Sequence, residues 1–197
     1  MVFVQDGSLS FDHDGLRLSG EQYVGADLSR HSFSDCHFSR CDFSGSSCVG
    51  TSFVDCRFVG CNFSLVRLSD CGMKGVEFVG CKLLGTDFSR CSSGFLRLSF
   101  DECLLDGSNF SSLPMAGTRF ADCDVLRCVF VGTDLTGANF DRSDLSETVF
   151  HDVRLSGADL SRARNYLIDL QANRLNRAKF SLPEAVSLLR GLDIDLE

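Results

Sequence analysis

The sequence predicts an all-β protein, a right-handed quadrilateral β-helix of about eight coils followed by a short C-terminal helix and strand. Three observations predict it. An apolar residue recurs every five positions, a small residue recurs two positions before it, and the 197 residues include 18 Phe but no Trp. A period of five fits neither the 3.6-residue period of an α-helix nor the two-residue period of an ordinary strand. The pattern therefore indicates a coil that turns a corner after each unit.

The repeat is clearest between residues 21 and 90, where the third residue of each five-residue unit, here called the centre, is always apolar. Four units would close one square turn of twenty residues, so residues twenty positions apart are expected to stack, with about 4.8 Å between coils. Phe38 and Phe58 are such a pair. The small residue before each centre is expected to point inward near a corner. The centres are Tyr23, Leu28, Phe33, Phe38, Phe43, Cys48, Phe53, Phe58, Phe63, Leu68, Met73, Phe78, Leu83 and Phe88.

The repeat divides the chain into an N-terminal lead-in or cap (residues 1–15), the β-helix (residues 16–180) and a C-terminal helix and strand (residues 181–197). The register fails at Ser93, returns at Leu98 and slips by two residues before Leu105, which predicts a break near residues 91–104. A second miss at Asn165 is followed by a predicted centre at Leu170. A break re-aims side chains for binding or is simply a tolerated insertion. Its candidate contact residues are Phe95, Phe100, Asp101 and Glu102.

The C-terminal segment has the features of a helix followed by a strand. Ser181 and Glu184 fit a capping box, Pro183 lies in the first turn, and Gly191 suits the end of the helix. A helix this short needs something to pack on, so it either caps the solenoid or forms a dimer interface. The candidate interface residues are Leu182, Val186, Leu189, Leu192 and Ile194.

Composition argues against several functions. The formal net charge is −8, which disfavours direct binding of nucleic acid. No apolar run is long enough to span a membrane, and no signal peptide is visible, so a cytoplasmic location is expected. The common catalytic, nucleotide-binding and metal-binding motifs are missing, so no enzyme activity, small-molecule substrate or cofactor is expected. The eleven Cys mostly occupy the small inward position, which favours buried hydrophobes over disulfides or zinc ligands.

Acidic residues are concentrated in the C-terminal half of the repeat. Between residues 101 and 159, eleven Asp and Glu face four Arg, a net charge of −7. Such a band suits a basic partner, whereas Asp before a centre is also a general preference of this repeat. The candidate contact residues are Asp122, Asp124, Asp134, Asp144, Glu147, Asp152 and Asp159.

Units such as TDLTG and ADLSR, at residues 133–137 and 158–162, resemble the pentapeptide-repeat family over roughly residues 16–180. The segment from Lys179 to Ile194 is similar to the end of the Qnr quinolone-resistance proteins and of immunity proteins against albicidin or microcin. That resemblance implies a homodimer that mimics B-form DNA, binds DNA gyrase or topoisomerase IV and protects it from a drug or toxin. The chain lacks the two long loops of many Qnr proteins. The alternatives are a scaffold for another basic partner and a purely structural solenoid.

Overall fold

A computed structural model describes residues 11–191, which form a β-solenoid of very short parallel strands ending in a 3₁₀ helix, Glu184–Gly191. Two further 3₁₀ turns, Phe88–Arg90 and Ser93–Phe95, lie in the middle of the chain. The strands of the described range are β1 (Asp12–Asp14), β2 (Arg17–Ser19), β3 (Ser32–Ser34), β4 (His37–Ser39), β5 (Ser52–Val54), β6 (Arg57–Val59), β7 (Gly72–Lys74), β8 (Val76–Val79), β9 (Leu98–Asp101), β10 (Arg119–Ala121), β11 (Val129–Val131) and β12 (Val149–His151).

The solenoid has four faces, numbered here in chain order. Face 1 contains the sheet β1-β3-β5-β7, and face 2 contains the sheet β2-β4-β6-β8-β9-β10. Face 3 is a column of isolated parallel bridges that runs from Gln22 through Asp42, Asp124 and Asp144 to Arg164. Face 4 contains β11 and β12 together with bridges such as Asp27 to Ser47. On face 2, eight successive pairings lead from Arg17 to Lys179, and each pairing advances the chain by one turn.

The predicted stacking of residues twenty apart is confirmed. Phe38 and Phe58 are both fully buried, with ring centroids 4.9 Å apart and planes at 10°. Rings on neighbouring faces meet edge to face, as in the 5.7 Å contact of Phe33 with Phe38. Both arrangements are favourable for aromatic pairs, and full burial of each ring contributes roughly 1.5–3 kcal/mol. The axis of the solenoid is therefore a continuous column of aromatic and aliphatic side chains.

The break lies earlier than the sequence register indicates. Val76 pairs with Leu98, twenty-two residues away. The backbone N–H of Ser92, by contrast, still donates to the carbonyl of Cys71 at the regular offset of twenty-one, as Gly72 does to Thr51 in the coil before. The two extra residues are accommodated between Ser92 and Arg97, where the chain makes its 3₁₀ turn. The predicted centre at Leu98 is wrong, because Leu98 occupies the small inward position and Phe100 is the centre.

Two other predictions about the core are corrected. Phe100 is fully buried and stacks on Phe78, so it cannot serve as a surface contact at the break. Leu170 is not a buried centre, since 36% of it is exposed, and the nearby buried residues are Tyr166 and Ile168. The irregular stretch after Asn165 therefore turns different side chains inward from those that a strict count of five selects.

The corners explain why Gly, Asp and Arg recur at the end of each unit. Many corner residues have positive φ, including Gly45 at +66° and Gly75 at +67°, a region in which Gly carries no steric penalty. Asp35 and Asp55 adopt the same region at +52° and +51°. Asp tolerates this conformation better than most residues, because its short polar side chain can hydrogen-bond locally.

The C-terminal helix packs across the last turns. Leu188 contacts the core, whereas 78% of Leu182 and 44% of Val186 are exposed. The Ser181 hydroxyl donates to the carbonyl of Ser161, so it anchors the segment to the preceding coil. The predicted terminal strand, with Leu192 and Ile194, and residues 1–10 lie outside the described range.

None of the helices within residues 11–191 is long and apolar enough to cross a membrane.

Candidate interaction surface

The seven acidic residues singled out by the sequence do not form one patch. The registers place Asp134 on face 1, Asp159 on face 2, and Asp124 with Asp144 on face 3. The remaining three, Asp122, Glu147 and Asp152, are corner residues with positive φ. The predicted band therefore wraps around the rod, and only Asp124 and Asp144 stack directly, as predicted from their spacing of twenty.

Three of these carboxylates have a structural role in their own turns. Asp144 Oδ1 accepts a hydrogen bond of 3.0 Å from the backbone N–H of Ser146, two residues later. Asp134 and Asp159 accept the same bond from Thr136 and Ser161. Asp27 and Asp42 do so as well, far from the acidic band. This Asx-type turn satisfies a backbone donor at the corner, and it explains the preference for Asp or Asn before a centre.

Asp124 differs from these structural aspartates. No hydrogen bond from a residue two positions later reaches it within residues 11–191, and 56% of its side chain is exposed. Its nearest cation is Arg164, whose Nη2 lies 3.8 Å from its Oδ1. The same guanidinium donates from Nε to Asp144 at 3.0 Å. One Arg therefore bridges two acids stacked on face 3, which relieves the repulsion expected between like charges one coil apart.

A second group lies at the corner that follows face 3. Arg127 forms an ion pair with Asp106 in the preceding coil and lies 4.0 Å from Glu147 in the following coil. The Glu147 side chain is 73% exposed. Asp124 and Glu147 make only long ion pairs, are widely exposed and lie together on and beside face 3, so this part of the surface is well placed to contact another molecule.

Face 2 and its following corner carry a denser network of alternating charges. Arg142 pairs with Asp122 through two guanidinium nitrogens and lies 3.0 Å from Asp141. Arg162 lies 3.3 Å from Asp141 on its other side. Lys179 Nζ lies 3.4 Å from Asp159. This face is therefore a ladder of ion pairs, with little uncompensated charge.

The remaining predicted contacts are isolated. Within residues 11–191 no ion pair joins Asp152 to a cation. Asp101 pairs with Arg119 at 3.3 Å. Glu102 is an exposed corner residue at φ +54°. The backbone places Phe95 in the 3₁₀ turn of the break.

The carboxylates of the ladder remain ionised well below neutral pH. Hydrogen bonding from Arg142 lowers the pKa of Asp122, and hydrogen bonding from Ser161 lowers that of Asp159. Burial alone would raise the pKa of Asp144, but hydrogen bonds from Ser146, Asn165 and Arg164 bring it below the ordinary value. The surface therefore keeps its full charge at neutral pH.

Sequence analysis missed the cations that neutralise the band. Counting charge between residues 101 and 159 leaves out Arg162, Arg164 and Lys179, which stack on acids of the preceding coil. The pairing of these charges could have been predicted from the spacing of twenty residues. Asp144 with Arg164, Asp134 with Arg154 and Asp159 with Lys179 all have this spacing. The band is a network of paired charges with a local excess of acid near face 3.

The interior of the described range is built from thiols and apolar side chains. All eleven Cys are buried as free thiols, and neighbouring thiols stack in columns such as Cys61 on Cys81. Between residues 11 and 191, no cluster of three or more His, Cys, Asp or Glu could hold a metal ion. What the described surface presents is a long, mostly polar rod with ordered rows of charge.

These features define a repeat solenoid whose outward positions are free to vary while the inward ones build the core. The chain belongs to the pentapeptide-repeat family. The family's pentapeptide repeat region matches residues 31–110, and its pentapeptide repeats match residues 128–164. No curated protein matches the chain significantly by sequence.

Solved structures share the fold at low identity. A trypsin-treated variant of QnrB1, described as a plasmid-mediated fluoroquinolone resistance protein, is 20% identical with a TM-score of 0.55, covering 94% of this chain and 100% of that one. HetL, described as involved in heterocyst differentiation regulation in the cyanobacterium Nostoc, is 19% identical with a TM-score of 0.50, covering 89% and 88%. At this identity, the matches establish a common solenoid.

Proposed function

We propose that this protein binds the basic DNA-binding surface of a type II topoisomerase, DNA gyrase or topoisomerase IV, and protects the enzyme from a quinolone-type drug or a gyrase-poisoning toxin. In this hypothesis the rod occupies a surface that otherwise holds DNA. It acts by non-covalent binding and has no catalytic role, cofactor or direct contact with nucleic acid.

The proposal rests on two exposed acidic side chains, Asp124 on face 3 and Glu147 at the corner that follows it. Asp124 and Glu147 are 56% and 73% exposed, and their nearest cations lie 3.8 and 4.0 Å away. Exposed ion pairs contribute only about 0–1 kcal/mol, so a partner's Lys or Arg can replace the internal cation at little cost. Charge complementarity of this kind gives specificity and speeds association.

The similarity to QnrB1 supports the choice of target. QnrB1 is described as a fluoroquinolone resistance protein, and fluoroquinolones act on type II topoisomerases. Its structural match covers 94% of this chain. HetL shares the fold at a similar TM-score and is described by a different process, so the solenoid alone does not select the partner. The charge pattern of face 3 is the feature that favours a basic partner.

The proposed active form is a homodimer assembled through the C-terminal segment. Leu182, just before the C-terminal helix, and Val186, within it, expose 78% and 44% of their surface, and the helix already packs on the core through Leu188. Large apolar side chains exposed together suit a protein interface. Leu182→Glu with Val186→Glu is expected to convert a dimer into a folded monomer, measured by light scattering and circular dichroism.

The test is association with purified gyrase at low and high salt, together with supercoiling in the presence of a fluoroquinolone. The double variant Asp124→Lys/Glu147→Lys is expected to weaken binding at least about tenfold, since two close contacts become repulsive. Asp70→Lys/Glu77→Lys is the matched control, because Asp70 is also a positive-φ corner and Glu77 also precedes a centre. Both variants change the net charge equally.

Binding by the wild type should fall steeply as salt rises, because exposed charges are screened within about 8–10 Å at physiological ionic strength. No association of the wild type with gyrase at low salt would refute the proposal. Equal losses in the two double variants would show that net charge matters and that face 3 does not.

A further inference from the structure

A groove of about 410 Å³ crosses face 4 in the N-terminal half of the solenoid. Leu65 borders it at the corner that follows face 3, and Arg90 borders it at the corner that follows face 4. Val49 and Arg67 lie between these two corners, on face 4 itself. Leu65 shares its corner with Glu147 but lies four coils before it, so the groove is separate from the exposed acids described above.

Leu65 has a backbone conformation that does not suit its side chain. Its φ is +57°, and the other fourteen non-Gly residues with positive φ in residues 11–191 are all polar or charged. This region is sterically unfavourable for a bulky apolar residue. Because 67% of Leu65 is exposed, burial does not offset the penalty. The strain therefore points to a role outside the core.

The groove has an apolar side next to this corner. The Leu65 side chain lies over Gly85 in the next coil, where an added Cβ would be 3.0 Å from its Cδ2. Val49 is 36% exposed and lines the same groove, which the buried Val66 and Leu68 also border. Apolar side chains grouped in this way form a surface that is stabilised when another molecule covers it.

The charged groups of the groove favour an anion. Arg67 is exposed, and no carboxylate within residues 11–191 forms an ion pair with it. In the same range Arg90 pairs with Asp87 alone and only through Nε, at 3.2 Å, and its side chain is 69% exposed. Asp87, the one acid among the described lining residues, also accepts hydrogen bonds from the backbone N–H and the hydroxyl of Ser89. Two Arg and one Asp give the groove a net positive charge, on a chain whose net charge is −8.

We infer that this groove binds an extended segment of a partner protein in which a Leu or Ile side chain is flanked by Asp or Glu. The apolar side chain covers Leu65 and Val49, and the carboxylates pair with Arg67 and with the Nη atoms of Arg90. The inference does not depend on the proposed topoisomerase partner, because this groove calls for an acidic ligand, whereas face 3 calls for a basic one.

The probe for this site is the blocked peptide acetyl-Glu-Leu-Asp-Leu-Glu-amide, titrated into the full-length protein labelled for NMR. Backbone amide signals of Leu65, Arg67 and Gly85 are expected to shift with a Kd of about 1 mM. Replacing the peptide's acids by Gln and Asn, or both its Leu by Ser, should each weaken binding at least about tenfold, because each change removes one of the two kinds of contact. Equal binding of either control peptide, no saturable shift, or shifts that map to other coils would overturn the inference.

Variants separate binding from folding. Leu65→Asn should weaken the peptide at least about tenfold while leaving thermal stability unchanged or higher, because Asn adopts positive φ more readily than Leu. Val24→Asn is the matched control, at an exposed apolar residue outside the groove, and should bind the peptide normally. Arg67→Gln should also weaken binding, whereas Arg57→Gln on face 2 should not. Unchanged binding by Leu65→Asn or by Arg67→Gln would refute the site.

A second copy of this chain is the competing occupant of the groove. The amide signals of Leu65 and Gly85 in the protein alone are expected to be independent of protein concentration. A concentration-dependent shift of these signals would assign the groove to a contact between copies and refute the partner-segment site.

Discussion

Phe78 and Phe100 stack with ring centroids 5.5 Å apart and planes at 7°, although twenty-two residues separate them. All other pairs in the same face-2 stack, such as Phe58 with Phe78 and Phe100 with Phe120, are twenty apart. The aromatic column thus continues through the break without a gap. The two extra residues are confined to an exposed turn, where they disturb neither the core nor the pairing of β8 with β9.

This arrangement predicts that the extra residues can be removed. Deleting Ser93 and Gly94 leaves the units Cys91-Ser92-Phe95-Leu96-Arg97 and Leu98-Ser99-Phe100-Asp101-Glu102, which restore an uninterrupted register of five. Both deleted residues are exposed, and shortening a surface loop changes closure entropy only slightly. The free energy of unfolding should therefore change by no more than about 1 kcal/mol, measured by denaturant titration.

The matched control is deletion of Ser69 and Asp70, an equally short outward segment of a regular coil. That deletion displaces every later residue by two positions relative to the coil below, so buried Phe and Cys would face outward. A loss above about 4 kcal/mol, or failure to fold, is expected. Similar losses for the two deletions would show that the break is required by the fold.

The corner at Gly75 provides a second prediction. A Cβ at this position would collide with the Asp55 carboxylate of the preceding coil, whereas a Cβ on Gly45 would meet no atom within 4 Å. Both residues have positive φ, so Ala at either site costs about 1 kcal/mol in backbone strain. Gly75→Ala should therefore cost about 1 kcal/mol more than Gly45→Ala, since only the former must displace a carboxylate.

A double-mutant cycle isolates that contact. With Asp55→Ala as background, the extra cost of Gly75→Ala over Gly45→Ala should disappear, because the obstructing carboxylate is gone. Unfolding free energies from chemical denaturation give all the required values. An extra cost that persists in this background would mean that the backbone, and not the Asp55 side chain, requires Gly at position 75.

The buried thiols give a third prediction. Burial raises the pKa of Cys48 and of Cys91 to about 12, and all eleven Cys lie inside the solenoid. Since the thiolate is the reactive form, a thiol with this pKa is only about 0.01% ionised at pH 8. The native protein should react with almost no thiol reagent over an hour, and the unfolded protein with eleven equivalents. Rapid labelling of even one Cys in the native protein would show that a coil opens locally.

The periodicity accounts for most of this fold because the constraint is local and repeated. Phe38 and Phe58 could be paired from their spacing alone, as could Asp124 and Asp144. The sequence placed a centre at Leu98, whereas the structure has it at Phe100. Both residues are apolar, so the five-residue pattern fits either of them equally well. Only the pairing with β8 decides between them. Arg164 was missed for a different reason, since a linear count of charge ignores the twenty-residue stacking that brings it to Asp144.

The N-terminal coil contains a histidine pair that predicts pH-dependent stability. His13 Nε2 lies 2.9 Å from His31 Nδ1, the rings stack 5.2 Å apart, and His13 also stacks on Phe33. Burial lowers the pKa of both His residues, and the charge of His31 lowers that of His13 further, although Asp12 and Asp27 act in the opposite direction. A hydrogen bond between two imidazoles requires that at least one ring be neutral.

Because the folded-state pKa values lie below the unfolded value of 6.5, the pair contributes its stability fully above about pH 6.5 and loses it as pH falls through the folded pKa values. Amide hydrogen exchange in β1 and β3, corrected for the intrinsic pH effect, should therefore accelerate between pH 7 and pH 5. His13→Phe places in the stack the residue type found at Phe33, and it should reduce this acceleration, while His31, whose pKa burial lowers independently, retains its own part. The control is His151→Gln, at an exposed residue on face 4 away from the pair. This variant should retain the full acceleration of exchange. If His13→Phe showed the same acceleration as the wild type, the histidine pair would not be its source.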